Sequence, residues 1–339
     1  MNTRSTAAVV CTGPRQVGVG RVGLPALAPT DVVVSTLASG VSTGTDRWAM
    51  QGRFGWAVLE PPFVPGYQRA GVVKAVGTDV RNVLVGQRVV ATNSRDFVGA
   101  RAAWGAHTGL GVCRSTDVYD ATGIDLHRAA FLVVAQVGVN AASRITLTDG
   151  PVTVYGDGVI GTSAALAARH RGFDVTVVGR HPERLAVLAD LGLGIRLASG
   201  AGAGVDSAAG WDPVAVIDTV HNDDAFAEYV AALPHGTGQI VYSGHSPDNV
   251  TAWADMAELQ RRELTAHFVS GWTDARLDQT LALMRADVLP MERLVGRTAG
   301  TPAEVAALMT DVAYGRVAAV AALIDWTDST DWTDIRDGT

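Results

Sequence analysis

The sequence predicts an α/β protein in which a β-rich region accompanies a doubly wound parallel sheet. Three observations carry that expectation. Short apolar runs bounded by Gly, Pro or Asp crowd the first 125 residues, as in strands joined by tight turns. From 150 to about 272, strand-like and helix-like segments alternate, which calls for a parallel sheet covered on both faces. Within that stretch, Gly156-Asp157-Gly158-Val159-Ile160-Gly161 follows a strand and opens a helix. The 339 residues are more than twice the roughly 150-residue prior for one domain, so two domains are expected.

In chain order, Ala8 to Val10, Val32 to Val34, Ala70 to Val76 and Arg88 to Ala91 read as strands, being β-rich and flanked by turn residues. Small and apolar residues at helical spacing predict a helix from His127 to Ile145. Val152 to Tyr155 is a strand, and the Ala-rich run after the glycine loop is a helix reaching His170. Val175 to Val178 is the next strand and Pro182 to Leu191 the next helix, with proline at its start. Val214 to Ile217 and Gln239 to Tyr242 are further strands. Ala275 to Arg285 and Pro302 to Tyr314 are amphipathic helices, Val317 to Ile324 is a closing strand, and Thr327 to Thr339 is a polar tail carrying Trp332.

Composition narrows the function. Hydrophobic residues make up 47% and charged residues 18%, enough apolar surface for sizeable cores. A net charge of −7 argues against a nucleic-acid binder. Cys11 and Cys113 are too few for a disulfide framework or a four-cysteine zinc site. Of 27 basic residues all but Lys74 are arginine, leaving one candidate for lysine chemistry. No run has the eighteen or so apolar residues of a membrane helix, and Met1 to Thr30 lacks the apolar core of a signal peptide, so a cytoplasmic setting without membrane contact is expected.

The glycine loop is the strongest chemical signal. A pyrophosphate needs backbone N–H groups and a helix N-terminus close by, and glycine permits that approach. Gly156, Asp157, Gly158, Val159, Ile160 and Gly161 are therefore expected to hold a dinucleotide. At the end of the second strand, where an NAD site presents a carboxylate to the ribose, stand Gly179 and Arg180, with His181 and Arg184 following. With no carboxylate there to repel a 2′-phosphate, and with Arg180 to bind it, NADP is the expected cofactor. The strand ends at Asp218-Thr219 to His221 and at Ser243-Gly244-His245 should border the nicotinamide ribose.

Several motifs together resemble the medium-chain dehydrogenase/reductase family over nearly the whole chain: Gly44-Thr45-Asp46, Pro65-Gly66-Tyr67, Gly71-Val72-Val73 and Val85-Gly86-Gln87-Arg88-Val89. Ser42 to Arg47, Val64 to Tyr67, Gly271-Trp272 and Leu323 to Trp326 are similar to the bacteriochlorophyllide dehydrogenase subgroup. The resemblance implies a Rossmann domain inserted into a β-rich GroES-like catalytic domain. It places the catalytic domain at 1–140, the Rossmann domain at 141–285, the return at 286–326 and the tail at 327–339. It also implies that Val269 and Ser270 contact the carboxamide. Zinc members place Cys before Gly-Thr-Asp, His-Glu after Pro-Gly, and a third ligand in the following helix. This chain has Thr43, Tyr67-Gln68, and Ala135 or a neighbour. Those residues do not supply the N, O or S donors of catalytic zinc, so a zinc-free member is expected. Without the metal a hydrogen-bonding acid must steady charge on the substrate. Tyr67 is the first candidate, with Thr43 and Thr45 beside it, Thr45 at the family's proton-relay position; packing or turn roles are the competing readings.

Asp46 is expected to fix its loop through backbone N–H groups. Trp48, Phe54, Trp56 and Phe63 form either a substrate wall or core, His107 and Trp104 a solvated loop, and His245 a relay or a solvated residue. The expected function is NADPH-dependent hydride transfer between nicotinamide and a carbonyl/alcohol pair by a homodimer, on a specialised metabolite or a tetrapyrrole. Reduction of a polarised C=C or C=N bond is the rival within enzymes. A dinucleotide-binding sensor or a structural, crystallin-like protein is the rival outside them.

Overall fold

The computed structural model describes residues 4–54, 59–198, 212–244 and 254–329. Trp56, His245 and Trp332 lie outside the described residues. The chain divides into two compact units, Met1–Val133 with Pro290–Thr339, and Val134–Leu289.

The first unit begins with a hairpin of β1 (Ser5–Gly13) and β2 (Gln16–Gly23), followed by the long β3 (Asp31–Val41) and the short helix α1 (Thr45–Gln51). Then come β4 (Phe63–Val64), β5 (Arg69–Val76), β6 (Arg88–Ala91), β7 (Arg101–Ala102), β8 (Leu110–Arg114), β9 (Val118–Asp120) and α2 (Leu126–Ala129). β2 went unread in the sequence because its valines alternate with Gly18 and Gly20, residues poor in strand propensity. At Gly20 a Cβ would lie 3.3 Å from Val10 on the partner strand, whereas a Cβ at Gly18 would meet nothing within 4 Å. The single helix expected from His127 to Ile145 is two, α2 and α3 (Leu132–Ser143), with Asp125 capping the first.

The second unit adds β10 (Pro151–Tyr155), α4 (Val159–His170), β11 (Asp174–Gly179), α5 (Pro182–Asp190), β12 (Gly194–Leu197) and β13 (Ala215–Asp218). It continues with α6 (Asp223–Ala232), β14 (Gln239–Ser243), α7 (Met256–Arg261), β15 (Thr265–Val269) and α8 (Asp274–Arg285). The six strands form one parallel sheet in the order β12-β11-β10-β13-β14-β15. This is the doubly wound arrangement in which successive crossovers start from the middle strand and proceed outward on both sides. β10, β13 and β14 are buried almost throughout, as a sheet covered on both faces requires.

The chain then returns to the first unit with β16 (Val295–Ala299), α9 (Pro302–Tyr314) and β17 (Ala321–Asp325). α9 carries a complete capping box, Thr301 with Glu304, and ends on Gly315 in the left-handed region. The closing strand starts at Ala321 and not at Val317, because β17 begins where pairing with β3 and β16 begins. β17 joins a sheet ordered β16-β17-β3-β5-β6-β9, with β8 also on β3, and the hairpin belongs to a second sheet, β2-β1-β4-β7. A core of Val9, Cys11, Trp48, Met50, Phe54, Phe63, Leu308, Met309, Ile324 and Trp326 binds these elements. Trp48, Phe54 and Phe63 are thus core residues.

Candidate active site

In the second unit the carboxyl ends of β10, β11, β13, β14 and β15 place Gly156, Gly179-Arg180, Asp218-Thr219, Ser243-Gly244 and Val269-Ser270 along one edge of the sheet. The three loop glycines do three different jobs. Gly156 has φ +120, a conformation that glycine alone adopts freely, and a Cβ there would lie 2.1 Å from Thr219 Oγ1. A Cβ on Gly161 would lie 2.0 Å from the Gly156 carbonyl oxygen, so helix α4 packs onto its own loop. Gly158, the N-cap of α4, has nothing within 4 Å of such a Cβ. That open space lies over a helix N-terminus with unspent N–H groups, which is where a pyrophosphate binds.

Asp157 corrects the expectation that no carboxylate stands at the end of the second strand. Its side chain turns toward β11, where Oδ2 accepts the backbone N–H of Arg180 at 2.8 Å and of His181 at 2.9 Å. The His181 ring reaches the same oxygen at 2.9 Å, and Arg184 Nη1 reaches Oδ1 at 3.3 Å. Gly179 makes room for it, since a Cβ there would lie 2.5 Å from Asp157 Oδ2. Burial pushes this carboxyl up, but the His181 backbone and ring and the charge of Arg184 outweigh it and hold it below the usual carboxylate range. Arg184 is therefore engaged inside the protein. Arg180 is exposed and its guanidinium has no protein partner among the described residues.

Asp218 is wholly buried and spent internally: Oδ1 accepts Val220 N at 2.8 Å and His221 N at 3.0 Å, and Oδ2 accepts the Tyr229 hydroxyl at 2.9 Å. Thr219 donates to Tyr155 O at 2.8 Å and backs Gly156. Ser243 is fully buried, and its hydroxyl has no partner among the described residues, a group free to meet a ligand. Gly244 (φ +98) follows it, Val269 pairs with it across β15, and Ser270 is exposed just beyond. This donor set fits a dinucleotide.

In the first unit the turn before α1 meets Tyr67. The Tyr67 ring is 7% exposed and its hydroxyl hydrogen-bonds with the Ser42 and Thr45 side chains. Burial pushes the phenol well above its ordinary range; the Ser42 bond opposes this, the Asp46 charge adds to it, and the Thr45 bond opposes it. Thr43 is half-buried with no side-chain hydrogen bond among the described residues. Ser42 is thus the hydroxyl that sequence reasoning passed over. Asp46 fixes its turn as expected, Oδ2 accepting Ser42 N at 2.8 Å.

The solvated-loop reading of residues 104 and 107 is overturned. His107 is wholly buried, with Nε2 3.1 Å from Asp46 Oδ2 and Nδ1 2.9 Å from Ser39 Oγ. Trp104 is half-buried at φ +63, its ring edge-on to Phe54 (5.9 Å between centroids) and to Tyr67 (6.1 Å). The metal test fails on chemistry. Among the described residues no three His, Cys, Asp or Glu side chains converge as ligands. Gln68, beside Tyr67, is consumed structurally, donating to Gly40 O at 3.3 Å and accepting Val133 N at 3.0 Å. The Thr43, Tyr67 and Gln68 set does not fit zinc.

Comparison with known proteins places both units. Residues 28–124 match the alcohol dehydrogenase GroES-like domain and residues 159–286 the zinc-binding dehydrogenase family. Over 93 residues the chain is 37% identical to 2-desacetyl-2-hydroxyethyl bacteriochlorophyllide A dehydrogenase of Cereibacter sphaeroides, covering 27% of this chain and 29% of that protein. Over 192 residues it is 26% identical to sorbitol dehydrogenase of Bacillus subtilis, covering 50% and 54%. The chain thus aligns with about half the length of these relatives or less. A solved putative zinc-binding dehydrogenase of Sinorhizobium meliloti 1021, bound to NADP, superposes with TM-score 0.80 at 19% identity over 95% of this chain and 99% of that one.

Proposed function

The chain belongs to the medium-chain dehydrogenase/reductase family, and from that premise we propose that it is a zinc-independent, NADPH-dependent oxidoreductase acting on a carbonyl/alcohol pair. The observation that carries this reading is Tyr67, a phenol held on the hydroxyls of Ser42 and Thr45 at the position where zinc members of the family place a ligand histidine. Reduction of a carbonyl builds negative charge on its oxygen, and without a metal a hydrogen-bond donor must meet that charge. Burial keeps the Tyr67 hydroxyl protonated through the neutral range, so it is a donor and not a standing base. Ser42 and Thr45 orient its O–H, and the phenolate left after donation regains a proton from solvent relayed through these hydroxyls.

A nicotinamide dinucleotide held there would supply the hydride. The Gly156 to Gly161 loop and the α4 N-terminus would receive the pyrophosphate, and Arg180, whose guanidinium has no protein partner among the described residues, would take the 2′-phosphate. Asp157 does not repel that phosphate, because its charge is already balanced by His181 donors and Arg184. The substrate is the carbonyl of a specialised metabolite or a tetrapyrrole.

Tyr67→Phe tests the reading, since it removes the O–H and little volume. With a carbonyl substrate identified from a panel of aldehydes and ketones, kcat is expected to fall roughly 10²–10⁴-fold while NADPH affinity holds. Turnover within about threefold of the parent would show that the phenol only packs.

A further inference from the structure

The buried chain behind Tyr67 joins residues far apart in sequence. Trp326 Nε1 donates to Ser39 Oγ at 2.9 Å, Ser39 Oγ meets His107 Nδ1 at 2.9 Å, and His107 Nε2 meets Asp46 Oδ2 at 3.1 Å. Ser39, His107, Asp46 and Trp326 are all at most 1% exposed. The indole can only donate, so Ser39 accepts from it, and the Asp46 carboxylate can only accept, so His107 Nε2 carries a hydrogen toward it. With the ring hydrogen on Nε2, Nδ1 is left as the acceptor for the Ser39 hydroxyl; the network assigns this tautomer. Asp46 Oδ1 has no partner among the described residues, so two donors hold the carboxylate through Oδ2 alone: Ser42 N at 2.8 Å and His107.

His107 also touches the other side of the donor. Its backbone N–H bonds Pro65 O at 3.0 Å, and its ring packs so closely on Gly66 that a Cβ there would lie 2.7 Å away. One residue therefore braces both the segment leading into Tyr67 and, through Asp46, the turn carrying Ser42 and Thr45. We propose that His107 is a positioning residue that fixes the Tyr67 hydroxyl for proton donation by anchoring Asp46. This rests on the reading of Tyr67 as the donor. His107 touches no substrate atom. Its work is to keep the Ser42 and Thr45 hydroxyls and the phenol in one geometry, where a small misplacement costs rate steeply.

The test is a double-mutant cycle together with a measurement that needs no turnover. His107→Leu is expected to lower kcat about 10–100-fold with KM for NADPH unchanged, and His107→Gln, which keeps an N–H for Asp46, to recover most of the loss. In a Tyr67→Phe background, His107→Leu should then cost less than about twofold. Equal losses in both backgrounds would overturn the positioning role and leave Tyr67 as donor. A fully active Tyr67→Phe would overturn both. Should His107→Leu fold poorly, Ser39→Ala removes one link of the chain and should show the same background dependence. Without substrate, 3-fluorotyrosine is incorporated and the fluorine resonance missing in Tyr67→Phe is assigned to residue 67. That resonance should move in His107→Leu and Ser39→Ala and stay in place in His107→Gln. An unmoved resonance in His107→Leu and Ser39→Ala would also overturn the proposal.

Discussion

Two arginines four residues apart, Arg180 before α5 and Arg184 in its first turn, have different fates, and the proposed cofactor choice rests on the difference. Arg184 is spent on Asp157, while Arg180 stands exposed and unpaired among the described residues. Replacing Arg180 by Ala should weaken NADPH binding by about 1–3 kcal/mol and leave NADH nearly unchanged. Titration of both dinucleotides checks this, and equal affinity of the parent protein for the two would show that the arginine points elsewhere. Asp157 makes a second prediction. Its folded-state pKa is depressed below the ordinary 3.8, so the stability it contributes is present above that value and is lost as pH falls through the folded pKa. Asp157→Asn should therefore cost about 2 kcal/mol near neutral pH, with the gap to the parent closing below about pH 4. A gap that stays constant down to pH 3 would rule out the charged clamp. The Asp157 and His107 roles were illegible in the sequence for one reason. Asp157 meets partners 23 to 27 residues on, and His107 meets partners 61 and 68 residues back. Such pairs are fixed by strand order, which no local window contains. Ser42 was missed and Thr43 chosen because neighbouring turn residues are chemically alike until the backbone decides which faces Tyr67.

Among the elements, the strand-loop-helix of β10 and α4 was the most legible, because its glycines act locally. The structure nevertheless separates them by mechanism. Gly158→Ala meets nothing within 4 Å and keeps an ordinary negative φ, whereas Gly161→Ala drives a methyl against the Gly156 carbonyl. Gly158→Ala should leave unfolding free energy within about 0.5 kcal/mol of the parent while weakening NADPH at least tenfold. Gly161→Ala should lose about 1–3 kcal/mol of stability as well. Chemical denaturation beside fluorescence titration separates the two, and a Gly158→Ala protein that binds NADPH normally would remove the pyrophosphate from this loop. α9 was legible to the residue, from Pro302 to Tyr314, because its capping box and terminal glycine are sequence signals in themselves. β2 and β12 were not, since glycine-rich or largely exposed edge strands have little pattern to read.

For the molecule as a whole, the alternation of strand and helix set the doubly wound sheet, and the resemblance supplied the return of the chain to its first unit through β16, α9 and β17. The family's name carries zinc, yet this chain answers the metal positions with Thr43, Tyr67 and Gln68, and the last of these is tied into backbone hydrogen bonds. In the proposed mechanism a phenol takes the place that a metal holds elsewhere in the family. NADPH oxidation by protein dialysed against a chelator, with its zinc content determined on the same sample, tests this most directly. Less than about one tenth equivalent of zinc and undiminished turnover are expected. Stoichiometric zinc in the purified protein, with turnover abolished by the chelator and restored by adding zinc back, would contradict it.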